Sequence, residues 1–327
     1  SRSTGRYQSS ATLSLDNPLS LNDLFYVGLQ GSLGGGDPGA LGTSGSSLHY
    51  SLPWGRALLA LDVSRHRYAQ TVAGNAQDYT YRGNTGSQEA TLSYLVRRNA
   101  TSKTTLHAKV FARQSRNFID DTEVEVQRRR VGGWQLGVGH RAYVGPGTLD
   151  LNLSYRRGTG AFGSLRAPEE AFGEGTSRFA TVQASAQWQW PFKFGAQLGE
   201  FSSRWRAQSH CKPLAPQERY AIGGRHTVRG FDGESVLSAD SGWFWRNEVS
   251  TLLGDSGTSA FAGLDHGQVR GPSAQRLVGT RLTGAVVGLR ANAGALQGEL
   301  FAGWPLHKPE GFRTANATLG FWLAASF

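Results

Sequence analysis

The chain has little of what several classes of protein require. Its 327 residues contain one cysteine, Cys211, and no methionine. A single cysteine excludes an internal disulfide framework. Because methionine is missing, residue 1 is not a translation start, and we expect a processed or partial chain. No apolar run approaches the roughly 20 residues that a membrane-spanning helix needs.

Patterns for catalysis and for metal binding are also lacking. The 8 histidines and the many serines form no spaced Ser/His/Asp arrangement, and no phosphate-binding glycine loop precedes a helical segment. Cys211 adjoins His210 but has no third ligand nearby, which favours an incidental thiol over a reactive one. We therefore expect no enzyme activity, no cofactor and no metal site.

Strict alternation of apolar and polar residues is what the sequence has in abundance. Residues 180–190 place six apolar side chains, ending in Trp188 and Trp190, on one face and five polar ones on the other. Such alternation predicts β-strands, and no segment shows a convincing helical period. Fifteen strands are predicted, at residues 6–16, 23–33, 46–53, 56–70, 86–97, 103–115, 126–143, 148–156, 180–190, 193–208, 241–253, 258–269, 280–291, 295–304 and 314–327.

Three features favour a transmembrane barrel over a soluble sandwich of two packed sheets. Trp and Tyr cluster near strand ends, as aromatic girdles do at bilayer interfaces. Many predicted strands reach about ten residues, the length that crosses a bilayer when tilted. Short connections alternate with longer ones, such as 71–85, 157–177 and 209–240, and outer-membrane barrels have short turns on one side and long loops on the other. We predict an all-β fold, a transmembrane antiparallel β-barrel.

The last predicted strand, 314–327, supports a membrane location. Its odd-numbered positions from Ala315 onwards are apolar without a break, and the final one is Phe327. A terminal aromatic of this kind resembles the C-terminal assembly signal of bacterial outer-membrane proteins, whereas the same face on a soluble edge strand would invite aggregation. Because bacterial barrels have even strand numbers, we predict a sixteen-stranded barrel. Its first strand either lies upstream of this sequence, with residues 1–5 ending an extracellular loop, or lacks the alternation by which the others are recognised.

The excess of basic residues gives a formal charge of +10. Nucleic-acid binding would account for this charge if the basic residues formed one patch with aromatic side chains. They are instead spread over the polar faces of many strands, which favours a positively charged lumen and no nucleic-acid partner. The residues concerned are Arg97, Lys103, Lys109, Arg113, Arg141 and Arg156.

The segment 209–240 interrupts the alternation, and long loops of this kind commonly carry function. Within it, residues 222–234 read IGGRHTVRGFDGE. The centre of this motif consists of Val228, Arg229, Gly230 and Phe231. The motif, the strand AFAGLDHGQV at 260–269, the N-terminal TGRYQSSATLSLDNPLSLND and the terminal Phe327 together resemble the two-partner secretion transporters of the outer membrane. The resemblance covers the whole chain.

The resemblance implies a contact between the loop and the barrel wall. In that family the loop folds inward through the barrel and its arginine meets an acid on the inner wall, which assigns these positions to Arg229 and Asp265. Alternation places Gly263 and Gly267 on the same face as Asp265, where glycines leave room for a second segment. Glu248, on the preceding strand, is a second candidate partner for the arginine fork.

The resemblance also implies a function. Residues 1–327 would form one transporter barrel that secretes a large partner exoprotein, of the adhesin or filamentous haemagglutinin type, in extended form and without a nucleotide. Outer-membrane lipid and the barrel-assembly machinery would be its other partners. Soluble periplasmic domains, absent from this sequence, would precede the barrel and select the cargo. A passive diffusion porin and a barrel-assembly factor remain open as alternatives.

Overall fold

The fold is built almost entirely from β-strands. A computed structural model describes residues 5–36, 39, 42–73, 78–195, 197–254 and 257–326. The strands are β1 (Tyr7–Asp16), β2 (Leu24–Gly34), β3 (Gly42–Trp54), β4 (Ala57–Ala73), β5 (Asp78–Arg98), β6 (Ser102–Ile119), β7 (Thr122–Glu123), β8 (Arg129–Val144), β9 (Gly147–Thr159), β10 (Ala180–Phe194), β11 (Gln197–His210), β12 (Tyr220–Ile222), β13 (Leu237–Ala239), β14 (Ser241–Leu252), β15 (Thr258–Arg270), β16 (Arg281–Ala293), β17 (Leu296–His307) and β18 (Thr318–Ala325).

Helical structure in the described ranges is confined to short 3₁₀ turns within connections. None of the helices in these ranges has the length and apolar character needed to cross a membrane. The turns are Glu125–Gln127, Ala161–Gly163, Pro168–Phe172, Pro216–Glu218 and Pro272–Arg276.

Fifteen of the described strands follow one another in chain order along one antiparallel sheet. The sixteenth member of that sheet, β7, has two residues and pairs with the end of β6. The remaining two strands, β12 and β13, form a separate two-stranded sheet. Each long strand therefore takes its sequence neighbours as hydrogen-bonding partners, as expected for antiparallel strands joined by direct connections.

The chain divides into two compact units. The first comprises residues 1–97, 105–138 and 154–180, and the second comprises residues 98–104, 139–153 and 181–327. In the first unit, the rings of Phe111 and Phe179 are buried and stack with 6.5 Å between their centroids. The guanidinium of Arg156 lies 4.2 and 5.0 Å from the same two centroids, so a cation–π contact completes this cluster.

In the second unit, the register of three neighbouring strands brings charged and small residues together. Arg246 on β14 lies opposite Asp265 on β15, which lies opposite Gly284 on β16. Directly opposed residues project from the same face of a sheet. A buried apolar cluster packs on that face and consists of Ile222, Val228, Phe231, Leu237, Ala239, Phe244, Val269, Ala274, Leu282 and Phe312.

The opposite face of the sheet exposes large apolar side chains along β15 to β18. Leu264, Val287, Leu289, Leu300 and Leu319 are all exposed, Leu319 by 81%. Exposed apolar side chains that adjoin one another on neighbouring strands mark a surface that contacts a membrane or another protein. An outward apolar face is what strands in contact with lipid require.

The fifteen predicted strands are confirmed, because a long strand lies at each predicted position in the described part of the chain. The additional strand expected upstream of residue 1 stays a prediction. The predicted long connection at 71–85 is wrong: β4 runs to Ala73, and Asp78 of β5 pairs with it. Backbone pairing needs no apolar face, so the strands continue beyond the alternating segment from which they were recognised.

The predicted start of the last strand is also wrong. β18 begins at Thr318 rather than at residue 314. The backbone N–H of Ala315 donates to Asp232 of the long loop at 2.7 Å, so residue 315 is held by that loop instead of by the ladder. The terminal Phe327 lies outside the described residues.

Candidate functional site

The connection between β11 and β14 covers residues 211–240 and folds back on itself through β12 and β13. Ile222 pairs with Leu237 at the inner end of this short ladder, so residues 223–236 form a closed excursion beyond it. The sequence pattern did not reveal the two strands, because three residues carry too little alternation to be recognised.

Apolar packing sets the position of the central motif. Val228 and Phe231 are buried on either side of Arg229. The ring of Phe231 meets that of Phe312 edge to face, with 5.9 Å between centroids. Val228 lies over Gly267, where an added Cβ would come within 2.9 Å of the Val228 Cγ2 atom. The two apolar side chains therefore direct the arginine between them towards the sheet.

Arg229 binds the carboxylate of Asp265 through both its backbone and its side chain. Its backbone N–H and its Nε donate to Asp265 Oδ2 at 2.9 and 2.7 Å, and its Nη2 donates to Oδ1 at 2.8 Å. The side chain of Arg229 is 6% exposed and that of Asp265 is 0% exposed. The expected contact between these two residues is therefore present, as a bidentate pair with little access to water.

A second carboxylate closes the other side of the guanidinium. Glu248 Oε2 accepts a hydrogen bond from Arg229 Nη1. Glu248 Oε1 accepts another from Arg290 Nη1 at 2.6 Å. Glu248 thus connects an arginine of the loop with an arginine of β16.

Glycines allow the loop backbone to approach the strands closely. An added Cβ at Gly263 would lie 2.4 Å from Arg229 Nη2, and one at Gly284 would lie 1.9 Å from the Arg229 carbonyl oxygen. Gly230 has a φ of +95°, which other residues rarely adopt, and an added Cβ there would lie 2.3 Å from the Trp304 carbonyl oxygen. The role of Gly284 was not predictable, because it depends on how β15 pairs with β16.

A further set of salt bridges links the loop to β16 and β17, and the sequence did not predict it. Glu299 accepts from Arg225 at 3.3 Å and from Arg290 at 2.9 Å. The Arg290 guanidinium lies 4.0 Å from the ring centroid of Phe261. The Arg225 guanidinium lies 4.9 Å from that of Phe301. The inner side of the loop therefore meets a network of alternating charges, flanked by aromatic rings.

Asp240 anchors the base of the loop. Its carboxylate accepts hydrogen bonds from the backbone N–H groups of Leu214 and Ser273, each at 3.0 Å, and from the Ser273 hydroxyl. Burial acts to raise the pKa of Asp240, but these hydrogen bonds to the ionised form outweigh it and hold the pKa below its ordinary value. Asp240 thus connects the end of β13 with the turn that follows β15.

Other predicted features lie apart from this site. Cys211 is an exposed free thiol. Of the distributed basic residues, Lys109 pairs with Glu89 at 2.5 Å and Arg141 pairs with Asp150 at 2.6 Å. Within the described ranges no group of His, Cys, Asp and Glu side chains is arranged to hold a metal ion.

A sheet with apolar residues on its outer face and a charged loop socket on the other defines an outer-membrane β-barrel protein. The chain belongs to the family described as haemolysin secretion/activation protein ShlB/FhaC/HecB, which matches residues 1–291. The predicted membership of the secretion-transporter family and the predicted barrel fold are confirmed.

Three similar proteins illustrate this membership. The chain is 35% identical over 330 residues to outer membrane transporter CdiB-2 of Burkholderia pseudomallei (strain 1026b), covering 100% of this chain and 56% of that protein. The solved structure of CdiB from Escherichia coli matches with a TM-score of 0.90 at 26% identity, covering 100% of this chain and 60% of that one. BamA from Haemophilus ducreyi, lacking POTRA domains 1–3, matches with a TM-score of 0.62 at 13% identity over 99% of this chain and 70% of that one, which shows the fold alone.

These matches place the protein in the bacterial outer membrane, as predicted. The chain spans a little over half the length of the relative and of the CdiB structure that it matches.

Proposed function

We propose that the protein is a pore that secretes a large partner protein across the outer membrane, and that the loop 209–240 acts within the lumen as its gate. Family membership and 35% identity to an outer membrane transporter support a transport activity. The observation that carries the role of the loop is the bidentate contact of Arg229 with Asp265. In this proposal, residues 1–327 are the barrel domain and soluble periplasmic domains precede it.

The proposed roles follow the geometry of the site. The loop motif for secretion is Val228, Arg229, Gly230 and Phe231. The partner positions on the wall are Asp265, Glu248, Gly263 and Gly267. Because the pair is buried, removing either charged partner costs about 3–5 kcal/mol, which is enough to shift the loop between docked and released positions. We propose that docking positions the loop beside the path of an extended cargo.

The proposed cargo is a secreted exoprotein of the adhesin or filamentous haemagglutinin type, which passes in extended form. The proposed activity converts no substrate and uses no nucleotide. Insertion of the barrel by the assembly machinery, with Phe327 as its signal, belongs to the same proposal.

Secretion by the full-length protein tests the proposal. Exported cargo is measured in the culture medium for the parent protein, Arg229→Ala and Asp265→Arg. Lys212→Ala is the matched control, because it removes an exposed basic residue of the same loop. Folded barrel in the membrane is measured separately, from its altered electrophoretic mobility before and after boiling.

We expect folded barrel at parental levels in all variants, with secretion lost in Arg229→Ala and Asp265→Arg and kept in Lys212→Ala. Undiminished secretion by Arg229→Ala at normal membrane levels would refute the role of the loop. If the parent exports no partner but conducts small solutes, the protein is a diffusion porin. Loss of other outer-membrane barrels on its deletion would instead identify an assembly factor.

A further inference from the structure

A cavity of about 120 Å³ lies beside the docked loop tip and is lined by four arginines. Arg225 and Arg229 come from the loop, whereas Arg246 and Arg290 come from β14 and β16. The remaining lining residues are His226, Phe261, Val286, Glu299 and Phe301. This volume corresponds to roughly four water molecules at about 30 Å³ each, which is comparable to one small oxyanion.

The acids around the cavity are already paired with arginines. They are Asp265, Glu248 and Glu299, and both oxygens of each accept hydrogen bonds from arginine N–H groups. Four guanidinium groups therefore face three carboxylates, which leaves an excess of one positive charge. Because the site is partly enclosed, solvent screens this excess less than it would at an open surface.

Arg246 is the arginine with the weakest compensation. Its closest carboxylate atom in the described residues is Asp265 Oδ2, 3.7 Å from its Nε, which is beyond hydrogen-bonding distance. Its Nη1 donates to the backbone carbonyl of Arg225 at 3.3 Å. Arg204 on β11 lies directly opposite it in the ladder and adds positive charge. The side chain of Arg246 is 19% exposed, so a ligand can reach it.

We propose that this cavity is a binding site for a small oxyanion of the phosphate type. Such an ion supplies the acceptors that the site lacks and neutralises its excess charge. Guanidinium groups are the preferred partners of phosphate oxygens, because their planar N–H fork matches the spacing of two oxygens. Spare N–H groups of Arg246, Arg225 and Arg290 donate to the bound ion.

Binding at this site stabilises the docked loop. Two of the lining arginines belong to the loop and two to the strands, so the complete set of donors exists when the loop tip lies on the sheet. A ligand that binds one state of an equilibrium stabilises that state. Oxyanion binding therefore favours docking, whether or not the docked loop acts in secretion.

Binding of inorganic phosphate to the purified full-length protein in detergent tests the proposal. Calorimetric titration and thermal unfolding are recorded with phosphate and with chloride at equal ionic strength. The variants are Arg246→Gln and, as matched control, Arg281→Gln, which removes an exposed arginine on the same strand as Arg290 but outside the cavity.

We expect saturable phosphate binding by the parent and a melting temperature that rises with phosphate but not with chloride. Arg246→Gln removes a charged hydrogen-bond donor to the ion, so it weakens phosphate binding at least about tenfold, whereas Arg281→Gln changes it less than about twofold. Without phosphate, Arg246→Gln melts no lower than the parent, because a poorly compensated charge is removed. No difference between phosphate and chloride, or equal affinity in the two variants, overturns the proposal.

Discussion

The base and the tip of the long loop are held to the sheet by different interactions. At the base, Leu237 and Leu282 are buried in an apolar cluster, and Asp240 is satisfied by backbone and hydroxyl donors. At the tip, Val228 and Phe231 belong to the same apolar cluster, but Arg229 between them is held by carboxylates in a socket lined with glycine. Apolar burial is non-directional, whereas a bidentate ion pair depends on the position of a few atoms. The base therefore fixes the loop, and the tip is the part that a small change can release.

Removing an acid at the tip has the largest expected effect. Asp265→Ala leaves the Arg229 guanidinium buried with one close carboxylate, which should lower the free energy of unfolding by about 3–5 kcal/mol. The double variant Arg229→Ala/Asp265→Ala should cost less than the sum of the two single variants, because the second change removes the unpaired charge. Urea unfolding of the four proteins in detergent measures this coupling. Strictly additive costs would show that the pair does not act as a unit.

At the base of the loop, the free energy of unfolding should depend on buried side-chain volume rather than on charge. Leu282→Ala removes a buried side chain from the apolar cluster and should cost about 2–5 kcal/mol. Leu289→Ala, on the exposed face of the same strand, is the control and should cost far less. Raising the salt concentration should leave the Leu282→Ala cost unchanged, as measured by urea unfolding. A strongly salt-dependent cost would contradict the assignment of the base to apolar packing.

A methyl group placed in the socket should displace the tip of the loop and leave its base in position. In Gly284→Ala the new Cβ would lie 1.9 Å from the Arg229 carbonyl oxygen, so the tip must shift, at a cost of about 1–3 kcal/mol. Gly298→Ala is the control, because its nearest atom is a Leu323 side-chain carbon at 3.5 Å. Trypsin should cleave the loop faster in Gly284→Ala than in Gly298→Ala. Equal cleavage rates would mean that the socket does not position the tip.

The smallest expected effect is the pH dependence of the base. Because the folded-state pKa of Asp240 is lowered, its contribution is present above its unfolded pKa of about 3.9 and is lost as the pH falls through the folded value. The difference in unfolding free energy between the parent and Asp240→Asn should therefore be on the order of 1–2 kcal/mol near neutral pH and should shrink below about pH 4. If the difference in unfolding free energy between the two proteins stays the same from pH 7 to pH 3, the Asp240 carboxylate is not the source of that stability.

Much of the fold was predictable because lipid and lumen impose opposite preferences on alternate residues. The same alternation placed Asp265 and Glu248 on the face that meets the loop. The extension of β5 to Asp78 was not predictable, because backbone pairing persists where the alternation stops.

Contacts between residues on neighbouring strands were also not predictable from the alternation in the sequence. The contacts of Arg290 with Glu248 and with Glu299 depend on the register of β14 to β17, and alternation within one strand does not contain that register. The motif around Arg229 was recognisable, but the residues that complete its charge network were not.

Cross-linking of the loop to the wall tests the central claim most directly. Cys211 is replaced by serine, and one cysteine is introduced at Val228 and another at Gly267. A Cβ added at Gly267 would lie 2.9 Å from Val228 Cγ2, so a disulfide between the two positions is within reach. The yield of the disulfide in native outer membranes is measured with and without Arg229→Ala. We expect a high yield with Arg229 present and a clearly lower yield in Arg229→Ala. The absence of a cross-link, or an equal yield in both proteins, would contradict docking of the loop tip through the Arg229–Asp265 pair.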